Sequence, residues 1–205
     1  MNIANTQRLM NDEEKQRCTG STFKDRHELL QYLLDRRILL IVDWKGEEQE
    51  FDIGSFLQQR ASILEPGAAL DINSAYNKMH VEIAAGHLHP GDTVPFLLKV
   101  FCKQLKSASL GVVLLNLGND NYYIGVARLQ DMKQLTANAA DFWQYLAYGA
   151  KTGEVLYTVN CSCGGMNVWQ LKRGVLLTDD YCEHCGKELF DKEGKPSMPV
   201  IKDYI

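Results

Sequence analysis

Cys161-Ser162-Cys163 and Cys182-Glu183-His184-Cys185 are the residues of this chain whose types and spacing speak most directly to chemistry. Thiolates are soft anionic ligands, and two cysteine pairs about 15 to 20 residues apart form the ligand set of a zinc ribbon, each pair gripping one edge of a tetrahedral ion. The first pair is Cys-x-Cys where the ribbon pattern has Cys-x-x-Cys. Gly164-Gly165 after the first pair and Gly186 after the second nevertheless supply backbone that can turn beneath a metal. The expectation is one Zn²⁺ on Cys161, Cys163, Cys182 and Cys185, with His184 a bystander because its own pair already gives two thiolates. A closed four-thiolate site has no open coordination position, so it stabilises a fold and carries out no reaction. Disulfides, redox pairs and inert thiols are the rival uses. Residues 1–15 lack the apolar stretch of a secretory signal, and the longest aliphatic run, Ile38 to Val42, is too short to span a bilayer. A cytoplasmic address is expected, where thiols stay reduced and clustered cysteines hold metal. Cys18 and Cys102 stand apart, one read as a tail thiol and the other as a core thiol.

Two further groups could carry chemistry. His80, His87 and His89 lie close in sequence, and His-x-His on an extended segment would aim two imidazoles the same way, as a second metal site requires. Pro90-Gly91 makes that region a turn, so exposed loop histidines are the simpler expectation. The stretch Asp43-Trp44-Lys45-Gly46-Glu47-Glu48 follows an apolar run and would sit at a strand end, where reactive or binding groups are often placed. No nucleophile or histidine neighbours it in sequence. Between Asp43 and Asp71 there are seven acids and two bases, a local net charge of −5 in a chain of net charge −4. Asp43, Trp44, Glu47, Glu48, Glu50 and Asp52 are therefore the expected partner-binding residues, the acids to attract a basic surface and Trp44 to anchor it.

The elements that must hold these residues follow from hydrophobic periodicity. With 205 residues, 45% of them apolar and 23% charged, the chain can bury one good core and a small satellite. Residues 1–22 carry few apolar anchors and are expected as a flexible tail. Helices are expected over residues 23–36, with Thr22 and Asp25 at its start, and over 53–64, ended by Glu65-Pro66-Gly67. A third carries Tyr76, Met79, Ile83 and Ala84 on one face and ends at Gly86, and a fourth spans 93–107 with Lys99, Lys103 and Lys106 as a basic stripe. Ile38 to Val42 suits a strand covered on both faces. Leu110 to Leu117 and Tyr122 to Leu129, flanking Gly118-Asn-Asp-Asn121, form the clearest hairpin signal. Helical spacing of Phe142, Trp143, Tyr145 and Leu146 predicts a helix over 131–148, its aromatic residues core. Strands are expected over 155–159, 166–171 and 174–178. This order is not regular βαβ alternation, so the fold class is α+β, a mixed domain over 23–150 followed by a zinc-ribbon-like region over 151–205.

Asp43-Trp44-Lys45-Gly46-Glu47-Glu48, Leu-Leu-Asn-Leu-Gly-x-Asp-x-Tyr-Tyr-Ile-Gly-Val over 114–126 and the helix start at Asp131-Met132 resemble small bacterial α/β proteins found beside polymorphic toxins, some of them immunity proteins. The resemblance spans residues 38–140 and leaves the cysteines outside. It implies a stoichiometric inhibitor that covers the basic site of a cognate toxin, and no catalytic residue. A nucleic-acid-binding ribbon is the first alternative. Residues 151–205 hold seven bases and eight acids, so the electrostatic footprint of such a module is missing. A hydrolase with a cleft near Asp43 or His87 is the second. No phosphate loop, Gly-x-Ser-x-Gly elbow or His-Glu-x-x-His helix is present in the sequence. A non-enzymatic protein-binding module with a structural zinc is the reading these residues favour.

Overall fold

The computed structural model describes residues 3–89, 91–137, 143–149, 154–172 and 174–204. The chain divides into two compact units, Met1–Tyr148 and Gly149–Ile205, and its fold is mixed helix and sheet.

In the first unit β1 (Leu40–Val42), β2 (Leu110–Asn116), β3 (Tyr122–Arg128) and β4 (Gln144–Ala147) form an antiparallel sheet in the order β1-β3-β2-β4. Successive side chains of a strand point to opposite faces. Leu110, Val112, Leu114, Ile124 and Val126 therefore pack into one core with α4 (Asp52–Leu64), α5 (Ile72–Ala84) and α6 (Thr93–Ser107). Val113, Leu115, Tyr123, Ala127 and Tyr145 pack into a second core with the N-terminal segment, α3 (Arg26–Asp35) and α7 (Leu129–Thr136). The sheet is the middle of three layers. Gly125 permits the close approach on the second face, since a Cβ there would lie 2.9 Å from Leu39 Cδ2.

Several elements differ from the sequence expectation. Most of the segment expected as a flexible tail is ordered: from residue 3 on, α1 (Ile3–Thr6), a 3-10 turn (Gln7–Leu9) and α2 (Asp12–Thr19) bury Leu9, Met10 and Cys18 in the second core. The first expected helix begins later, because Asp25 and not Thr22 is the cap, its carboxylate accepting from Glu28 N at 2.9 Å. Strand β1 is an edge strand, which leaves Ile41 44% exposed where two covered faces were expected. The helix expected over 131–148 is a short α7 followed by strand β4. Pairing of Leu115 with Tyr145 and Leu114 with Leu146 satisfies that backbone from β2, and burial of Tyr145 seals it. Phe142 lies outside the described residues.

In the second unit β5 (Glu154–Asn160) lies between β6 (Met166–Lys172) and β9 (Ile201–Tyr204), all antiparallel. Residues 174–178, expected as a strand, are irregular. The remaining pairing is β7 (Asp180–Tyr181) with β8 (Glu188–Phe190). Its core is small: Val159, Cys161, Leu177, Cys182, Leu189 and Phe190, with Trp169 edge-on to Phe190 at 5.6 Å.

What fastens the N-terminal segment is a buried ion pair. Arg60 of α4 is 1% exposed; its Nη1 and Nη2 donate to the Glu14 carboxylate at 2.5 and 3.0 Å, and Nη2 donates to Leu9 O at 2.7 Å. Glu14 also accepts from Asn11 N, closing a capping box on α2. Burial raises the Glu14 carboxyl. The Arg60 guanidinium outweighs that, helped by the Asn11 N–H and Arg17, and holds it below the ordinary carboxylate range. A carboxyl depressed by folding contributes stability above its unfolded pKa and loses it as pH falls through the folded one. We expect Glu14→Gln to cost about 3 kcal/mol at neutral pH, because it leaves a buried guanidinium unpaired. The deficit should shrink as pH falls below the ordinary carboxylate range. Urea unfolding of both proteins across that pH range measures it, and a pH-independent deficit would remove the ionised pair as its cause.

Candidate metal centre and acidic cleft

Two tight turns bring the four cysteines together in the second unit. In the first, Cys161 N donates to Gly165 O at 2.8 Å and Gly164 N to Cys161 O at 2.9 Å, with Gly164 at φ 88°. In the second, Gly186 N donates to Cys182 O at 2.8 Å and Cys182 N to Lys187 O at 2.8 Å. The Sγ atoms of Cys161, Cys163, Cys182 and Cys185 all lie within 4.8 Å of one another, and the group could hold a metal ion. Two of these approaches cross between the turns at 3.7 Å: Cys161 to Cys185 and Cys163 to Cys182. A tetrahedron with metal–sulfur bonds of about 2.3 Å has an edge of about 3.8 Å, so these separations fit an S₄ site. A disulfide needs about 2.05 Å, and all six cysteines are free.

Asn167 of β6 joins the two turns, a part that spacing does not announce. The side chain is buried; Nδ2 lies 3.5 Å from Cys182 Sγ as donor, and Oδ1 accepts from Glu183 N at 3.1 Å. Burial raises the Cys182 thiol, and the Asn167 amide with the Cys185 and His184 N–H groups outweighs it, bringing it to about 6. Cys163 moves oppositely. The Gly165 N–H lowers it, but Cys185, burial and the other two sulfurs push it up to about 12. Cys161 is lowered as well, by N–H and sulfur donors around it, so it is Cys163 that needs a cation beside it to lose its proton. Gly165 is required by space, since a Cβ there would lie 3.0 Å from His184 Cβ and 3.4 Å from the sulfurs of Cys163 and Cys182. His184 is exposed and is not one of the four converging groups.

Among the described residues no other set of three or more histidine, cysteine or acidic side chains converges as metal ligands do. His80 Nε2 pairs with Glu50 at 3.2 Å, His87 Nδ1 with Glu82 at 2.9 Å, and His89 is exposed in the loop.

In the first unit the acidic segment divides by role. Asp43, Glu47, Glu48 and Asp52 line one cleft of about 210 Å³ with Ile41, Val42 and Asn121. Asp43 accepts from Lys45 N at 2.9 Å and fixes the turn after β1. Trp44 is 43% exposed and packs on Gly91, where a Cβ would stand 3.2 Å from its ring. Glu47 is engaged inside: its Oε1 accepts from Tyr76 OH at 2.6 Å and from Ile53 N at 2.5 Å. It thereby caps α4, because the residue at the cap position, Phe51, is left-handed at φ 74° and offers no side-chain bond. Burial pushes the Glu47 carboxyl up despite these donors, and burial and Glu47 together raise Tyr76. Asp52 pairs with Arg37 at 3.0 Å. Glu48 is exposed and makes no hydrogen bond or ion pair among the described residues. Glu65 lies in a different cleft with Ser109 and Arg128, and Asp71 caps α5.

The chain matches the family model described as Domain of unknown function (DUF6630) over residues 3–147, and it belongs to that family. No curated protein and no solved structure matches it. The family match spans the three-layer unit and ends before the first of the four clustered cysteines.

Because Asn167 both donates to a candidate ligand and holds the backbone of its turn, Asn167→Ala should weaken metal affinity about 10- to 100-fold. Competition with a chelator of known affinity measures it. Affinity unchanged within twofold would assign Asn167 to packing alone.

Proposed function

We propose that this chain is a non-enzymatic protein-binding module whose C-terminal unit is held together by a structural Zn²⁺. Its N-terminal unit offers an acidic cleft to a basic group on a partner protein. Support for the recognition rests on one observation, the convergence of Asp43, Glu48 and Asp52 on a single cleft that the helix-capping Glu47 also lines, with Trp44 exposed on the same turn. Carboxylates attract and orient a cationic partner, and an exposed aromatic side chain supplies apolar area for it to bury. A cognate toxin with a basic surface is the partner that the immunity-protein resemblance implies. For the metal, four thiolates at tetrahedral separations favour zinc. Iron is the other metal of such a set and would colour the protein.

Protein purified without added metal should carry one zinc per chain by elemental analysis and be colourless. Ligation of structural zinc is worth about 10 to 16 kcal/mol in small peptides, and the second unit has few core residues besides. Cys182→Ser should therefore expose residues 149–205 to protease first and leave the first unit resistant. Simultaneous digestion of both units, or absence of metal, would overturn the structural-zinc reading.

The acidic cleft is tested at Glu48, since substituting Glu47 would also uncap α4. Association with a lysine-rich peptide at low salt should be slowed several-fold by Glu48→Lys, and the gap should close as ionic strength rises. Equal rates at low salt would remove the cleft from recognition.

A further inference from the structure

The four cysteines are unequal in exposure, and the inequality is paired. Cys163 and Cys185 are exposed while Cys161 and Cys182 are buried. Each exposed sulfur has its buried counterpart on the opposite turn at 3.7 Å, Cys185 against Cys161 and Cys163 against Cys182. An exposed thiolate is open to a small oxidant, and a second thiolate in contact converts the first oxidation product into a disulfide before it can oxidise further. The two couples differ in their surroundings: Cys182 receives the Asn167 amide, which draws charge from its sulfur, and Asn167 makes no such bond to Cys161 or Cys185.

We infer that the cysteine cluster is a hydroperoxide-sensitive site whose first oxidation product is a disulfide between Cys161 and Cys185, formed with loss of the metal. The inference rests on the metal reading proposed above. Cys185 Sγ attacks one oxygen of the hydroperoxide; the O–O bond breaks, a sulfenic acid forms, and the departing oxygen takes a proton to leave as water or an alcohol. Cys161 Sγ then attacks the Cys185 sulfur, the S–O bond breaks and hydroxide leaves, taking a second proton. Each sulfur has given up one electron and the peroxide has accepted two, so the step needs no redox change at a bound ion, and Cys161 and Cys185 would no longer be available to hold one. Because the new bond crosses between the turns, it keeps tied the two segments that the ion held. A disulfide within one turn would leave them separate.

The test uses the full-length chain as purified, with zinc content measured first. Hydrogen peroxide is added in steps, released zinc is read with a chromogenic chelator, and remaining thiols are alkylated before disulfides are mapped by mass spectrometry. One equivalent should release most of the zinc and yield the Cys161–Cys185 peptide pair. Dithiothreitol with added zinc should restore the starting content. Mapping to any other cysteine pair, Cys163–Cys182 included, oxidation to sulfinate without a disulfide, or zinc retained through a tenfold excess of peroxide would each overturn the inference. Should the protein hold no metal at the outset, the metal reading itself fails, and that result is distinguished before any peroxide is added. An independent check traps the sulfenic acid with dimedone in the zinc-loaded chain: the adduct should map to Cys185, and an adduct on Cys163 or Cys182 would place the reactive sulfur elsewhere.

Discussion

Strands β2 and β3 are apolar on both faces, so neither face of the central sheet can be left to water. Burying apolar surface contributes roughly 25 cal/mol per Å², and a sheet with one face bare would forgo that along two seven-residue strands. Three helices between Asp52 and Ser107 cover one face. The other is covered by elements from both ends of the unit, among them the N-terminal segment. That demand makes the Arg60–Glu14 pair intelligible. Placing a guanidinium in a nearly dry site is costly, and a pair there often does little better than an apolar substitute. Its three directed hydrogen bonds do something an apolar contact would not: they fix where Leu9 and α2 lie on the sheet.

The second unit faces the opposite problem. Among the described residues its core cluster has six buried members, two of which are cysteines of the metal-binding candidate, so candidate ligands and core are in part the same residues. A region this small rarely holds itself together by apolar burial. Deprotonated sulfurs without a cation would repel one another across 3.7 Å, and the same sulfurs around a divalent ion become the tie between two otherwise thin turns.

Local signals were legible where local physics decides. The helices over 53–64 and 93–107 and the hairpin through Gly118 were readable because periodicity, Pro-Gly breakers and turn residues act within a few positions. The four cysteines were readable for the same reason. Strand β4 was not, since Trp143, Tyr145 and Leu146 also fit a helical spacing, and only pairing with β2 selects the strand. Leu9 and Met10 looked too sparse to anchor a segment, and the residue that anchors them lies 46 positions beyond Glu14. Asn167 was invisible as a supporting residue because an isolated asparagine in a strand carries no pattern.

The acidic segment carries the same lesson in its charge. Counted along the sequence, its net of −5 included Arg60 as a neutralising base and Glu47 as a surface acid. In space Arg60 is spent on Glu14 and Glu47 caps a helix, so both leave the surface ledger. What remains around the cleft is Asp43, Glu48 and Asp52, with Arg37 already 3.0 Å from Asp52. A guanidinium thus sits against one wall of the cleft from within the chain. Two unit charges 4 Å apart near a protein surface interact by about 4 kcal/mol before desolvation and salt take their share, and exposed pairs retain about 1 kcal/mol or less. On the binding reading, then, the carboxylates can choose and hasten a basic partner, but they cannot hold it. The holding falls to apolar area, and Trp44, exposed and braced against Gly91, is the side chain placed to provide it.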